Sequence, residues 1–418
     1  MSDTTNLRND PVADVLIAGG GQVGLALALA LRHSGPKLGV TLVDATRPEE
    51  AARQGRASTI AGGGRRMLEQ LGVWDQIAPE AQPVTEMIIT DSRTQDVARP
   101  VFLTFATGGD GEHPGEASAY VVPDGIVVAA LRRAAFAAGV TIIAPETITD
   151  FAVAGGRVVA STKDGAGLTS RLLVAADGAR SRLRDIAGIG TVGHSYGQSG
   201  IVVTVAHQKA HDGRAEEHFL PGGPFAILPL KGNRVSLVWT EPTDAADRLV
   251  SGDPLVFQVE LDRRFGHRLG AIETLDVPRA FPLGVRLART FIRQRFALVG
   301  DAAHTVHPIA GQGLNLGYRD VAALAETIVQ AHRLGLDVGA LGVLDRYQRW
   351  RRYDTTEMAL ATEGLNRLFS NDNPALRIVR DVGLGIVDRL PELKRLFVKE
   401  AAGHGIGSVP RLLRGEAI

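Results

Sequence analysis

The sequence predicts an α/β fold in which a parallel sheet is interleaved with a second, mainly antiparallel sheet, followed by C-terminal helices. Three observations predict this fold. The chain opens with a strand–helix–strand pattern, and two short, continuously apolar runs recur much later, as expected of strands covered on both faces. Between these runs lie segments of looser alternation, which are typical of an antiparallel sheet with one face in water.

Length and composition narrow the class of protein. A chain of 418 residues favours two domains. Lys and Arg together number 46, as do Asp and Glu, so the net charge is zero and nothing favours nucleic acid as a partner. The absence of cysteine excludes disulfides and thiolate metal sites. Because the N-terminus is polar and no stretch reaches roughly 18 uninterrupted apolar residues, we expect a soluble, cytoplasmic protein.

The first predicted unit occupies the start of the chain. It comprises a strand over residues 14–18, a helix over residues 22–33 and a strand over residues 40–43. Gly35 and Pro36 end the helix, because neither residue continues a helical pattern. The unit is therefore of the βαβ type.

Three glycines join the first strand to the first helix in the pattern G-x-G-x-x-G: Gly19, Gly21 and Gly24. The first glycine of this pattern permits a tight turn, the second lets a pyrophosphate approach the backbone, and the third lets helix and strand pack closely. Asp44 follows the second strand, where a carboxylate can accept hydrogen bonds from ribose hydroxyls. The alternative is a chance glycine turn, but the combination favours a Rossmann-like dinucleotide site.

The two later apolar runs, residues 172–176 and 296–299, lead into Asp177 and Asp301. Ligands of doubly wound sheets bind at the carboxyl ends of strands, so both aspartates are candidate contacts. The alternative is ordinary Asp–Gly turn chemistry. No second G-x-G-x-x-G followed by a helix and an acid occurs, which favours one tightly held dinucleotide.

A glycine-rich segment after Pro308 opens a further helix. Gly311 and Gly313, followed by Leu314 and Asn315, would bring bare backbone amides against a ligand. The positive end of a helix dipole suits a flavin, because the reduced ring carries negative charge near N1 and the C2 carbonyl. The segment therefore favours a flavin dinucleotide.

The order of these elements predicts a discontinuous nucleotide-binding domain into which a sheet-rich substrate domain is inserted. The first domain is predicted to comprise residues 1–75, 120–193 and 289–370, the second residues 76–119 and 194–288, and a C-terminal helical segment residues 371–418.

With these residues in hand, the chain resembles the class A flavoprotein monooxygenases and, more closely, the aromatic hydroxylases of ubiquinone biosynthesis. Three motifs that span most of the chain carry the resemblance: Gly19-x-Gly21-x-x-Gly24, Asp177-Gly178-x-x-Ser181-x-x-Arg184 and Gly300-Asp301-Ala302-Ala303-His304. The closer likeness rests on less specific similarity to the segments of those hydroxylases, in residues 56–74, 219–229, 311–320 and 371–403.

The resemblance implies bound FAD and a role for each motif residue. For the adenosine half, Gly19, Gly21 and Gly24 would contact the pyrophosphate and Asp44 the ribose. Arg56 would contact the flavin side of the cofactor, Asp177 would lie near the nicotinamide path, and Asp301 would bind the ribityl chain. The residues implied to line the flavin ring are Pro308, Gly311, Gly313, Leu314 and Asn315. The chain departs from the family pattern twice. Gln54 stands where Asp is frequent, and Asp124 begins a pair where Asn-Arg or Gln is frequent. The sequence identifies no catalytic side chain.

The implied activity is hydroxylation of an electron-rich ring by a C(4a)-hydroperoxide of the reduced flavin, with NADH, NADPH or another reductant as electron donor. The implied substrate is a polyprenylated phenol, a precursor of ubiquinone. Two alternatives stay open: a hydroxylase of a soluble phenolic compound, and a non-catalytic flavoprotein that scaffolds a quinone-biosynthesis complex. Candidate protein partners are a second copy of the chain and other quinone-biosynthesis proteins.

Other conspicuous residues have plainer interpretations. His304 and His307 suggest a metal site, but no unassigned third ligand is nearby, which favours a structural or flavin-side role. Trp239 and Phe219 are candidates for the substrate cavity or for the core of a sheet. The basic run of residues 346–352 favours a solvated helix face over a partner surface.

The tail combines apolar residues at helical spacing, among them Ile386, Leu390 and Phe397, with an excess of Lys and Arg. The simpler interpretation is a helix packed on the protein itself or on a second subunit. The other is peripheral contact with the inner face of the cytoplasmic membrane, where a polyprenylated substrate would reside.

Overall fold

The computed structural model of the chain describes residues 13–51, 55–91, 101–106, 116–308, 311–369 and 409–418. The helices in these ranges are α1 (Gln22–Ser34), α2 (Pro48–Ala51), α3 (Gly62–Gln70), α4 (Trp74–Ile77), α5 (Asp124–Ala137), α6 (Arg182–Ile186), α7 (Thr243–Ser251), α8 (Pro254–Phe265), α9 (Gln312–Arg333) and α10 (Leu341–Phe369). Short 3-10 helices lie at Ala78–Glu80, Gly300–Ala302 and Arg411–Arg414.

The strands form three sheets. In chain order they are β1 (Ala13–Ala18), β2 (Val40–Val43), β3 (Ala57–Ala61), β4 (Gln82–Pro83), β5 (Glu86–Asp91), β6 (Val101–Ala106), β7 (Ala119–Pro123), β8 (Thr141–Ile143), β9 (Ile148–Ala154), β10 (Arg157–Thr162), β11 (Gly167–Ala175), β12 (Thr191–His207), β13 (Arg214–Leu220), β14 (Gly223–Leu230), β15 (Arg234–Pro242), β16 (Ile272–Thr274), β17 (Arg279–Ala288), β18 (Ile292–Arg293), β19 (Phe296–Leu298) and β20 (His304–Thr305).

The first sheet has a parallel centre in the order β19-β11-β1-β2-β8. β18 pairs with β19, and β10 with both β11 and β9, all antiparallel. Val15, Leu16 and Ile17 of β1 are all buried, since neighbouring side chains in a strand point to opposite faces and both faces of this sheet are covered. Helix α1 packs between α5 and α9 on this core.

The predicted elements of this sheet are confirmed. The helix expected over residues 22–33 ends at Ser34, and the strand over residues 40–43 has those bounds. The strand expected from residue 172 begins five residues earlier, at Gly167, because its first half pairs with β10. β19 occupies the last predicted run, and its three residues are fully buried.

The second sheet is mainly antiparallel, in the order β20-β17-β12-β15-β14-β13-β5-β6, with β16 also paired to β12. Only the β13–β5 pair among its described strands is parallel. Its strands come from residues 86–106 and 191–305, whereas those of the first sheet come from residues 13–175 and 292–298. The interleaving of two sheets is confirmed, and the proposed domain bounds stay a prediction.

Helices α7 and α8 cover one face of the second sheet, and Phe257, Leu261 and Phe265 of α8 are buried against it. In the second half of β12 the residues that alternate with the buried ones are half-buried, which is consistent with the two unequal faces that the sequence predicted. The sequence does carry a helix signal for α8. Asp253 is its N-cap, since its side chain accepts a hydrogen bond from the Leu255 amide, and the three apolar residues follow at spacings of four.

The third sheet, β3-β7-β4, is small and antiparallel, and no pattern in the sequence predicted it. It places the start of α5 beside β3, because Asp124 donates its backbone N–H to the carbonyl of Arg56 at 2.8 Å.

Only the end of the predicted C-terminal segment is described. Leu412 and Leu413 of the last 3-10 helix are buried in the first core, and Arg66 Nε donates to the Leu413 carbonyl at 3.0 Å. The apolar stripe of Ile386, Leu390 and Phe397, on which the membrane hypothesis rests, lies outside the described residues. A membrane-spanning helix, judged by length and hydropathy, is not found among the described helices.

Candidate cofactor site

The motif residues follow strands that are neighbours in the first sheet. β2, β1, β11 and β19 are parallel, so their carboxyl ends share one edge. Gly19, Asp44, Asp177 and Asp301 come one to three residues after those ends. A crevice outside the carboxyl ends of the strands is where open α/β sheets bind ligands. The contacts that each residue makes with a ligand stay predictions.

The three glycines of the first motif face different surroundings. A Cβ on Gly19, whose φ is +116°, would lie 2.2 Å from the Ala176 carbonyl oxygen, and one on Gly24 would lie 2.0 Å from the Gly19 carbonyl oxygen. A Cβ on Gly21 would meet no atom of the described chain within 4 Å. The first and third glycines are thus required by the fold, whereas Gly21 leaves open backbone at the N-terminus of α1, as a pyrophosphate site needs.

Asp44 is buried and already has partners. Arg132 of α5 donates to its Oδ2, and the Thr46 amide donates to Oδ1 at 3.2 Å. Gly20 permits this arrangement, since a Cβ there would lie 2.2 Å from Asp44 Oδ2. Sequence reasoning missed Arg132, because 88 residues separate the pair and no pattern connects them.

The motif of residues 177–184 is hydrogen-bonded to the motif of residues 300–304. Ser181 Oγ accepts the Arg184 amide at 3.1 Å and so caps α6. The guanidinium of Arg184 is buried, and its Nη1 donates to the Ala302 carbonyl at 3.0 Å. Asp177 is exposed at the sheet edge and accepts the Leu183 amide at 3.4 Å. The spacing of Ser181 and Arg184 in this motif thus has a structural role beside any ligand contact.

Asp301 lies in a recess: protein surrounds it, yet its side chain is open to solvent. Burial raises the pKa of the Asp301 carboxyl, and the positive charges of His304 and Arg56 partly oppose that increase. Its carboxylate makes no hydrogen bond or ion pair with another residue in the part of the chain that the structure describes. Such a group is available to the hydroxyls of a ligand.

Arg56 lies near Asp301, because its positive charge acts on that carboxyl. Its side chain is 57% exposed, its Nε lies 3.8 Å from Asp124 Oδ2, and its guanidinium lies over the Phe281 ring at 5.7 Å. Ser58 Oγ donates to Asp124 Oδ1 at 2.6 Å. Burial raises the pKa of the Asp124 carboxyl, although Arg56 and Ser58 lower it in part. Asp124, one of the two departures from the family pattern, therefore holds Arg56; Gln54, the other, lies outside the described residues.

The segment that leads into α9 leaves further backbone open. Gly311 adopts the left-handed conformation (φ +64°) as the N-cap of α9, and its amide donates to the Pro308 carbonyl at 2.9 Å. A Cβ on Gly313 would meet no atom of the described chain within 4 Å, and Leu314 is half-buried beside it. The helix N-terminus is thus unobstructed, as expected of a site for the flavin ring.

The side chain of Asn315 is hydrogen-bonded to the protein backbone. Its Nδ2 donates to the carbonyls of Thr59 (3.0 Å) and Gly311 (3.1 Å), and its Oδ1 accepts the Ala61 amide at 2.9 Å. The side chain therefore fastens the start of α9 to β3, so a contact between Asn315 and the ring falls to its backbone.

The histidines and aromatic candidates lie in packed surroundings. His304 Nε2 donates to Asp320 Oδ2 at 2.6 Å, and the buried ring of His307 lies 5.1 Å from that of Tyr196. No group of three metal-ligating side chains is found within the described ranges. Trp239 is 1% exposed in the second core, which favours the sheet-core interpretation for it. Phe219 is buried as well, and both interpretations of it stay open.

The basic run of residues 346–352 is not uniformly solvated. Arg346 and Arg349 are exposed, but the side chain of Arg351 is only 2% exposed. The solvated-face interpretation is wrong for Arg351, because that arginine turns inward to the buried carboxylate of Asp320.

The arrangement fits a flavin dinucleotide. Open backbone at Gly21 and Gly313 lies at the N-termini of two helices, where partial positive charge favours phosphate or a reduced ring. The carboxylates of Asp44 and Asp301 are suited to ribose and ribityl hydroxyls, and Arg56 adds a largely exposed cation near Asp301.

Comparisons with known proteins support FAD as the cofactor. The family described as FAD binding domain matches residues 12–359. Ubiquinone hydroxylase UbiL of Rhodospirillum rubrum is 44% identical over 412 residues, which cover 97% of this chain and 94% of the relative. The 3-demethoxyubiquinol 3-hydroxylase of Escherichia coli K12 is 34% identical over 403 residues, covering 95% of this chain and 100% of the relative.

A solved structure shows the same fold. The crystal structure of p-nitrophenol 4-monooxygenase PnpA from Pseudomonas putida DLL-E4 matches with a TM-score of 0.79 at 20% identity, over 95% of this chain and 99% of that one. Taken with the motifs gathered at one sheet edge, these likenesses show that the chain belongs to the FAD-dependent aromatic monooxygenases, within the family of the ubiquinone hydroxylases.

Proposed function

We propose that this chain hydroxylates the aromatic ring of a polyprenylated ubiquinone precursor, using bound FAD, molecular oxygen and a reductant such as NADH or NADPH. The observation that carries the proposal is the 44% identity with a ubiquinone hydroxylase along nearly the whole of both chains. The open backbone at Gly21 and Gly313 supports it, because a non-catalytic scaffold has no need to keep the ring-side backbone bare.

In this function, FAD supplies the electron transfer and oxygen activation that no side chain of the chain supplies. The protein binds the cofactor and orients it. The open amides at the start of α1 receive the pyrophosphate, and Asp44 and Asp301 receive hydroxyls. The N-terminus of α9 presents the positive end of the helix dipole to the ring, and the bonds of Asn315 to β3 keep it in place.

The substrate ring is proposed to lie between the recess and the second sheet. Arg56 connects the two, since its guanidinium lies over Phe281 of β17 and its Nε faces Asp124. Phe281 is 39% exposed, as is suitable for a side chain that receives an apolar ligand. A cation and an aromatic face together would orient an electron-rich ring and exclude water from it.

Two alternatives remain distinct from this proposal. A hydroxylase of a soluble phenolic compound would share the whole FAD site, and a scaffold of a quinone-biosynthesis complex would need none of its chemistry. The cytoplasmic location, peripheral membrane contact and assembly with a second copy or with other quinone-biosynthesis proteins stay predictions, as does the identity of the electron donor.

Cells that lack this protein are expected to accumulate a polyprenylated intermediate that is short of one ring hydroxyl, because the step that inserts it is lost. Lipid extracts analysed by mass spectrometry measure the intermediate, and its structure identifies the ring carbon. The parent chain should restore ubiquinone, whereas a Gly21→Val variant produced at equal level should not. Normal quinone content in the deleted cells would contradict the proposed substrate, and restoration by the variant would favour the scaffold.

A further inference from the structure

The Gly300-Asp301 turn is hydrogen-bonded to the carboxylate of Asp320, a residue of α9. Asp320, in the third turn of α9, is fully buried. Its Oδ2 accepts the Gly300 amide at 2.8 Å and His304 Nε2 at 2.6 Å, and its Oδ1 accepts Arg351 Nε at 2.8 Å. The two residues bonded to Oδ2 flank Asp301 on both sides.

The charge of Asp320 is compensated within the protein. Burial alone would raise the pKa of its carboxyl, but the charges and hydrogen bonds of His304 and Arg351 outweigh burial and lower that pKa. Arg351 also donates to Asp354, which accepts Arg319 Nη1 at 2.7 Å. Asp320 is therefore an ionised acceptor that ties α9 and α10 to the turn. An ion cluster of this kind contributes little net stability over apolar packing, but it fixes geometry strongly.

The same helix carries both sides of the proposed flavin site. Its N-terminus presents Gly311 and Gly313, and Asn315 fastens that end to β3. Asp320, five residues further on, fastens the helix to the turn that presents Asp301. The distance between the ring-side amides and the ribityl-side carboxylate is thus set by one rigid element and its two attachments.

We propose that Asp320 is a positioning residue for FAD: through Gly300 and His304 it holds the Asp301 carboxylate at the spacing from the N-terminus of α9 that the cofactor requires. The inference rests on the proposed cofactor site. Under this inference Asp320, which is fully buried, affects the affinity for FAD and the environment of the ring through Gly300 and His304.

The test compares Asp320→Asn with the parent, each stripped of FAD and titrated with FAD. Asp320→Asn keeps the shape of the side chain and removes the charge. It should raise the Kd for FAD about tenfold, as expected when a charge-assisted hydrogen bond that orients a binding turn is lost. The visible circular dichroism of the bound flavin should change as well. His304→Leu, which has no donor and so removes one of the two Oδ2 bonds, should change both quantities in the same direction and by less.

Asp337→Asn is the matched control. Asp337 accepts Arg295 Nη1 at 3.1 Å beyond the C-terminal end of α9, so its loss breaks an arginine–carboxylate pair without touching the turn. It should lower the thermal midpoint and leave the Kd for FAD and the flavin spectrum unchanged.

An Asp320→Asn variant that melts earlier but binds FAD with the Kd and spectrum of the parent would overturn the inference, because the cluster would then be structural only. Should Asp320→Asn not fold, His304→Leu decides by the same two readouts, and parental values in it overturn the inference. A parent chain that binds no FAD is a different outcome, and it would remove the proposed cofactor site itself.

Discussion

Gly21→Val is expected to abolish FAD binding and to leave the chain folded. A Cβ at this position meets no described atom of the protein within 4 Å, and its φ of −72° and ψ of −179° are accessible to valine. The branched side chain would instead stand where the pyrophosphate must approach the backbone amides of α1. The variant should purify colourless, with a thermal midpoint close to that of the FAD-stripped parent, and FAD released by denaturation should be absent.

Gly24→Val is the contrasting control. Its Cβ would lie 2.0 Å from the Gly19 carbonyl oxygen, so this variant should lose the fold rather than the ligand alone, as seen in its yield and its far-UV circular dichroism. If Gly21→Val instead retains yellow colour and the FAD content of the parent, the first βαβ unit does not bind the adenosine half of the cofactor.

Asp301→Ala is expected to give a folded protein depleted of FAD. The carboxylate is open to solvent and bonds to no other described residue, so the fold loses little when it is removed. A lost charge-assisted hydrogen bond to the ribityl chain is worth roughly 1.5–3 kcal/mol, which corresponds to a Kd for FAD raised roughly 10- to 150-fold. Isothermal titration of the stripped protein with FAD measures the change.

Asp185→Ala supplies the comparison for Asp301, since Asp185 is also an accessible carboxylate, in the short helix α6 and 72% exposed beside Arg184. It should bind FAD as the parent does. Full occupancy of Asp301→Ala at limiting FAD would withdraw the ribityl assignment.

The parts of the fold and site that the sequence predicted are those encoded locally. Gly19, Gly21 and Gly24 lie within six residues, so the turn, the open helix N-terminus and the close helix–strand packing each follow from spacing alone. Asp44 and Asp301 were found because each directly follows a buried apolar strand, and parallel strands bring their carboxyl ends to one edge.

The parts that the sequence did not predict depend on contacts between distant segments. Arg132 reaches Asp44 across 88 residues, and Arg351 reaches Asp320 across 31. The charge pattern around Arg351 is that of a solvated helix, and only the packing of α10 against α9 shows that this one arginine turns inward. Asn315 illustrates the same limit: its place in a ring-side motif was visible, but its attachment to β3 was not.

Incorporation of labelled oxygen tests the central claim most directly. Purified holoprotein, a reductant and a polyprenylated phenol that lacks one ring hydroxyl are incubated under 18O2, and the extracted quinol is analysed by mass spectrometry. The account predicts a product that carries one 18O atom on the ring, and no product when the Gly21→Val variant replaces the parent. A hydroxyl derived from water, or consumption of reductant and oxygen with no hydroxylated ring, would contradict the claim.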